Sequence, residues 1–118
     1  MKSKLRLKNN RDFRKVYRYG KSVANRELVL FIMKNKNIEQ FRLGISVSKK
    51  IGKAVTRNRI KRILKETVFS LSREYDIVNN IDVIIIARSP TSNMKFAQFE
   101  KSVKDIFFKG KLIKNKIS

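Results

Sequence analysis

Residues 42–65 read RLGISVSKKIGKAVTRNRIKRILK, and the apolar period changes inside them. From Arg42 to Ser48 the pattern alternates, with Leu43, Ile45 and Val47 on one side and Gly44, Ser46 and Ser48 on the other. A period of two predicts a strand, and the small residues of its second side leave a floor that something can approach. Gly52 then permits a tight loop. From a start between Lys53 and Thr56 the period lengthens. Ile60, Ile63, Leu64, Thr67, Val68 and Leu71 share one stripe of a helix running to about Tyr75. Asn58, Lys61, Arg62 and Lys65 cluster on the opposite side of that wheel, with Arg59 at its edge.

On the N-terminal side, Leu28 to Met33 is a short apolar run and reads as a strand, followed by a polar loop at residues 34–37. The interval up to Arg42 suits an antiparallel hairpin of these two strands. Before them a first helix is expected, with Asn10 as N-cap, Phe13, Val16 and Tyr17 at helical spacing, and Gly20 as its stop. On the C-terminal side, residues 82–88, DVIIIAR, form an uninterrupted β-branched run, predicting a strand buried on both faces. Residues 89–92, SPTS, break the chain. A last helix then directs Phe96, Phe99, Val103, Ile106 and Phe107 inward, ahead of a basic tail. The order α-β-β-α-β-α predicts an α+β sandwich: one small mixed sheet with helices packed on it, in a single domain over residues 1–118. The general rule for parallel crossovers predicts a right-handed connection through the long helix.

The chain has 118 residues, with 30 Lys plus Arg against 9 Asp plus Glu, a formal charge of +21. Hydrophobic residues make up 42%, with 8 Phe and 3 Tyr, which is enough for a core and argues against a disordered basic tail. There is no Cys and no His, which removes disulfides, thiolate metal sites and the commonest general base. No apolar run approaches the roughly 20 residues of a membrane span, and the basic N-terminus MKSKLRLKNN has no signal-peptide core. The class expected is a small soluble cytoplasmic protein with a polyanionic partner, and neither a membrane nor a small-molecule substrate.

The charge is laid in blocks. Residues 2–26 carry ten cations, from Lys2 and Lys4 to Arg26, and one acid, Asp12. Residues 49–65 carry eight, Lys49, Lys50, Lys53, Arg57, Arg59, Lys61, Arg62 and Lys65, and no acid. Two such blocks repel one another unless they meet phosphates, which favours nucleic acid over mere solubility. In the second block a strand ends, a glycine turns the chain and a helix begins with its amides exposed, an arrangement that binds phosphate. Arg57, Arg59 and Arg62 add planar forks, and Asn58 an amide that both donates and accepts. The glycine spacing of a P-loop is missing. Phe13 and Tyr17, at i and i+4, and Phe31 suit either core packing or a shelf on which unpaired bases stack. Catalytic equipment is thin: the nine acids are scattered, Glu74 and Asp76 lie at the far end of the long helix, and Ser46 and Ser48 have no base beside them. No catalytic residue is assigned.

The run at 49–65, KKIGKAVTRNRIKRILK, resembles the Arg-Asn-Arg helix of the protein subunit of bacterial ribonuclease P. The likeness extends to LKNNRDFRKVYRYGKSVANRELVLF at 7–31, RLGISVSKK at 42–50 and IIIARSP at 84–90. It implies an accessory protein that helps a catalytic RNA remove the 5′ leader from precursor tRNA. That RNA and its Mg²⁺ would perform the hydrolysis, and no protein metal ligand is assigned. The resemblance implies that Arg57, Asn58 and Arg59, continued by Lys61, Arg62 and Lys65, meet the catalytic RNA and the segment near the cleavage site. It implies a leader cleft at Phe13, Tyr17 and Phe31, where Phe31 replaces the tyrosine often found and loses its hydroxyl. Lys50 would face the same leader. It further implies a left-handed βαβ crossover, of the kind found in a ribosomal protein domain. The alternatives are a structural ribosomal RNA-binding protein and a nucleoid-type DNA binder.

Overall fold

The two strands expected to form a hairpin do not touch. A computed structural model describes residues 5–117 and contains α1 (Asn10–Tyr19), β1 (Lys21–Ala24), β2 (Leu28–Lys34), β3 (Phe41–Val47), α2 (Ala54–Glu74), β4 (Tyr75–Ile77), β5 (Ile81–Ala87), α3 (Phe96–Lys109) and β6 (Ile113–Lys116). Lys2 and Lys4 of the first basic block lie outside the described residues. The main sheet has the order β1-β2-β5-β3. β5 pairs antiparallel with β2 and parallel with β3, so it separates them. The physical reason lies in β5 itself. Its Val83, Ile84 and Ile85 are fully buried, and a strand apolar on both sides belongs at the centre of a sheet. β3, with Gly44 and Ser46 on one side, tolerates the edge.

One face of the sheet carries the main core. Leu28, Leu30, Leu43, Val83 and Ile85 meet Ile60, Leu64 and Val68 of α2 and Phe99, Val103 and Phe107 of α3. All six residues of the expected α2 stripe are buried. On the other face Ile84 packs against Leu7 and Val16, with Phe13, Phe31, Met33 and Ile86 partly buried around them. The result is an α+β domain with one helix on one face and two on the other.

Several expectations need correction. The N-cap of α1 is Asn9, not Asn10: its Oδ1 accepts the Asp12 amide at 2.8 Å, and two adjacent asparagines are equivalent in sequence. Phe96 is 43% exposed, because the first residue of α3 precedes the face that meets the core. β1 is short and polar, without an apolar pattern, yet it pairs with β2 from Lys21↔Ile32 to Ala24↔Val29. The basic tail is partly ordered, with β6 pairing antiparallel to β4.

The N-terminal segment lies along the outer edge of β3, with the Leu7 amide donating to the Leu43 carbonyl at 3.0 Å. This covers part of an edge otherwise open to strand pairing. Asp82, only 1% exposed, accepts from Arg42 Nε at 2.7 Å, Arg42 Nη2 at 2.8 Å and Asn35 Nδ2 at 3.0 Å. The buried charge is thus paired and fully hydrogen-bonded. The same guanidinium reaches Asp12 of α1 at 3.6 Å, tying the helix to the sheet. Its hydrogen bond to Asp82 raises the Arg42 pKa above the ordinary arginine value.

Candidate nucleic-acid interface

Ser48 follows β3 and its side chain accepts the Lys50 amide at 3.2 Å, capping the single 3-10 turn Lys49–Ile51. Gly52 follows, where an added Cβ would sit 3.1 Å from Thr56 Cβ. α2 then begins at Ala54, and its N-cap Lys53 provides no side-chain cap. Its first amides therefore lack an intrahelical partner, and the positive end of the helix dipole faces Lys49, Lys50 and Lys53, all exposed.

The rest of the cationic run is divided among three sides of α2. Asn58 and Arg62 stand exposed on the crest, with Val55 beside them at 82% exposure. Arg57 turns back and donates Nη1 to the Gly52 carbonyl at 2.8 Å, closing the loop with part of its fork. Arg59 lies on one flank and reaches the Ser92 carbonyl at 3.5 Å. Lys61 and Lys65 lie on the other flank and line a cavity of about 490 Å³ with Arg6 and Lys8, floored by Phe13 and Gly44. Burial, reinforced by Arg6 and Lys61, pushes the Lys65 pKa below the ordinary lysine value. Four cations surround this acid-free cavity, an arrangement whose charge suits an anion. Arg6 and Lys8, distant in sequence, join it only because the N-terminal segment follows β3.

The three aromatics do meet. Phe13 and Tyr17 have centroids 6.3 Å apart, and Tyr17 and Phe31 5.1 Å apart, both pairs edge to face. Packing and exposure divide between the rings. Phe13 lies down on the sheet, where a Cβ at Gly44 would come within 2.6 Å of its Cζ. What approaches the small-residue floor at Gly44 is thus the chain's own ring. Tyr17 keeps 38% of its surface exposed. Next to these rings, sheet register sets Val29 opposite Ile86 and Ile86 opposite Ser46, all half-buried. This half-buried strip continues the α1 face of the sheet toward the end of β3, from which the Lys49–Ile51 turn departs. Val29 and Ile86 escaped the sequence reading. Their signal is the strand alternation, which becomes legible only once β2 and β5 are known to be neighbours.

Among the described residues, no three His, Cys, Asp or Glu side chains lie close enough to hold a metal ion. Asp12 and Asp82, the acids nearest the cleft, are engaged by Arg42. No described helix is long and apolar enough to cross a membrane.

Comparison with known proteins shows which family the chain falls in. A family model described as ribonuclease P matches residues 1–111. The ribonuclease P protein component of Listeria innocua is 46% identical over 116 residues, 98% of this chain and 96% of the relative. That of Macrococcus caseolyticus is 50% identical over 106 residues, 90% of each chain. The Staphylococcus aureus RNase P protein superposes with a TM-score of 0.85 at 42% identity, covering 93% of this chain and 98% of that one. The Thermotoga maritima protein gives 0.76 at 31% identity, covering 85% and 92%. These likenesses do not favour a structural ribosomal protein. The chain belongs to the ribonuclease P protein family.

Proposed function

We propose that this subunit acts by geometry and charge, holding the single-stranded 5′ leader of a precursor tRNA while the catalytic RNA cleaves it in the cytoplasm. The observation that carries the reading is that the Phe13–Tyr17–Phe31 rings meet on the sheet face that also carries the half-buried Val29–Ile86–Ser46 strip, at the end of β3 from which the acid-free run from Lys49 to Lys65 departs. Unpaired bases stack on Tyr17 and Phe31 and rest on that strip. Phosphates meet the α2 amides, Lys50 and the crest of α2.

Catalytic RNA and precursor tRNA repel one another, and a charge of +21 at their junction offsets that repulsion. Each phosphate contact contributes a slope of about 0.7 to 0.9 in log affinity against log salt. Fixing the scissile bond relative to the RNA lowers the barrier by orientation alone, without a protein acid or base. Magnesium, in this reading, is held mainly by RNA. The experiment is leader release at low Mg²⁺ by the catalytic RNA with and without the purified chain. Stimulation with the chain, and no cleavage by the chain alone, is the expected result. Cleavage by the isolated chain, freed of RNA, contradicts it.

A further inference from the structure

The β1–β2 turn, the turn at Ser89–Asn93 and α3 border a half-open cavity of about 520 Å³ that the leader cleft does not use. Two carboxylates are fixed in its wall, Glu27 by a neutral hydroxyl and Asp105 by a neutral amide beside one lysine. Ser102, 4% exposed, donates Oγ to Glu27 Oε1 at 3.0 Å. Asn25 donates Nδ2 to Asp105 Oδ2 at 3.0 Å and to Ser102 Oγ at 3.1 Å. Asn25 is itself held by the Glu27 and Leu28 amides, which donate to its Oδ1 at 3.1 and 2.8 Å. Lys109 stands 3.7 Å from the same Asp105 oxygen. Glu27 Oε2 and Asp105 Oδ1 receive no hydrogen bond among the described residues.

Arg26 and Lys101 line the same cavity, yet neither forms an ion pair with these carboxylates among the described residues. The cavity therefore has a cationic part and an anionic part that do not neutralise each other. Met94, 8% exposed, supplies an apolar wall. Gln98 accepts the Lys95 amide on Oε1 at 2.7 Å, which leaves its Nε2 free to donate. The volume lies within the range of roughly 300 to 1,000 Å³ usual for ligand sites.

We infer that this cavity binds an unpaired nucleotide and prefers guanine. A nucleotide carries the three matching parts: a phosphate for Arg26 and Lys101, a flat apolar face for Met94, and a donor edge for the carboxylates. Guanine offers N1–H and N2–H₂ side by side, which one carboxylate accepts in parallel, whereas uracil offers two carbonyls and a single N–H. The cavity opens beside the cationic surface. Arg59 bonds the Ser92 carbonyl next to Asn93 of the cavity wall, and Arg88 donates to the Asn25 carbonyl at 3.0 Å. The inference rests on the chain being an RNA-binding subunit, and the nucleotide comes from the precursor leader or from the catalytic RNA.

The test titrates the isotope-labelled full chain with guanosine 5′-monophosphate and with uridine 5′-monophosphate, following the Met94 methyl and Gln98 side-chain amide resonances. Guanosine monophosphate is expected to shift both and to bind at least about five-fold tighter, the lower range of one bidentate base contact. Glu27→Gln and Asp105→Asn bring the two affinities together, while Lys101→Ala weakens both alike. Equal affinities in the unmodified chain, or shifts confined to the Phe13–Tyr17–Phe31 cleft, overturn the inference and leave the leader reading standing. In the holoenzyme, a loss with Glu27→Gln limited to precursors bearing leader guanines assigns the nucleotide to the leader. A loss of affinity for the catalytic RNA itself assigns it there. An unchanged holoenzyme on both counts overturns a role in the assembled particle.

Discussion

Ile85 and Ile86 are consecutive residues of the same strand and serve opposite faces of one sheet. Ile85 is fully buried in the core that the sheet shares with α2 and α3. Ile86 is half-buried on a face that α1 only partly covers, in line with Val29 and Ser46. The strand alternation that separates them also separates the work of the molecule. One face supplies cohesion, and the other is left incomplete, as the proposed hold on the leader requires.

That contrast makes ordered predictions. Ile85→Ala removes a fully buried side chain and should cost about 2 to 5 kcal/mol of stability, read by denaturant unfolding, while the folded fraction keeps its preference for precursor over mature tRNA. Gly44→Ala mixes the two faces, since the new methyl meets Phe13 Cζ. A loss of about 1 to 3 kcal/mol is expected together with weaker precursor binding, despite the gain in strand propensity. Tyr17→Ala should change stability less and precursor affinity by about 1 to 3 kcal/mol, the worth of one stacked base, with mature tRNA unaffected. Arg62→Ala should weaken RNA binding at every leader length and flatten the salt slope by about 0.7 to 0.9. Arg73→Ala, at the acid-bearing end of α2, should leave that slope unchanged.

The smallest effect is the titration of Lys65. Its lowered pKa means that the unfolded chain binds this proton more tightly than the folded one. Stability should therefore rise with pH across the window from the lowered value to the ordinary lysine value, and stay flat below it. An RNA phosphate held between Lys65, Arg6 and Lys61 favours the charged form and should move the pKa back up. The Lys65 side-chain resonance, followed with and without a bound oligoribonucleotide, reports both.

How far each feature was legible follows from whether it is local. The α2 stripe, the α3 core positions Phe99, Val103, Ile106 and Phe107, and the cationic run are local periodicities, and the sequence shows them directly. The pairing of β2 with β5 depends on competition for the centre of the sheet, which adjacency in sequence misjudges. β1 and β6 carry no apolar pattern, because partners elsewhere in the fold define them. At the site, the resemblance named Phe13, Tyr17 and Phe31 together, but the division between packed Phe13 and exposed Tyr17 depends on the missing Cβ of Gly44. Arg6 and Lys8 beside Lys61 and Lys65, and Val29 beside Ile86, are contacts between segments that no local reading joins.

The proposal that the open face holds the leader comes down to one ratio, the affinity of the reconstituted holoenzyme for precursor tRNA over mature tRNA, measured for the unmodified chain and for Tyr17→Ala. The ratio should collapse toward one with Tyr17→Ala while affinity for the catalytic RNA stays as it was. A ratio unmoved by the loss of this ring would show that the uncovered face of the sheet does not touch the leader.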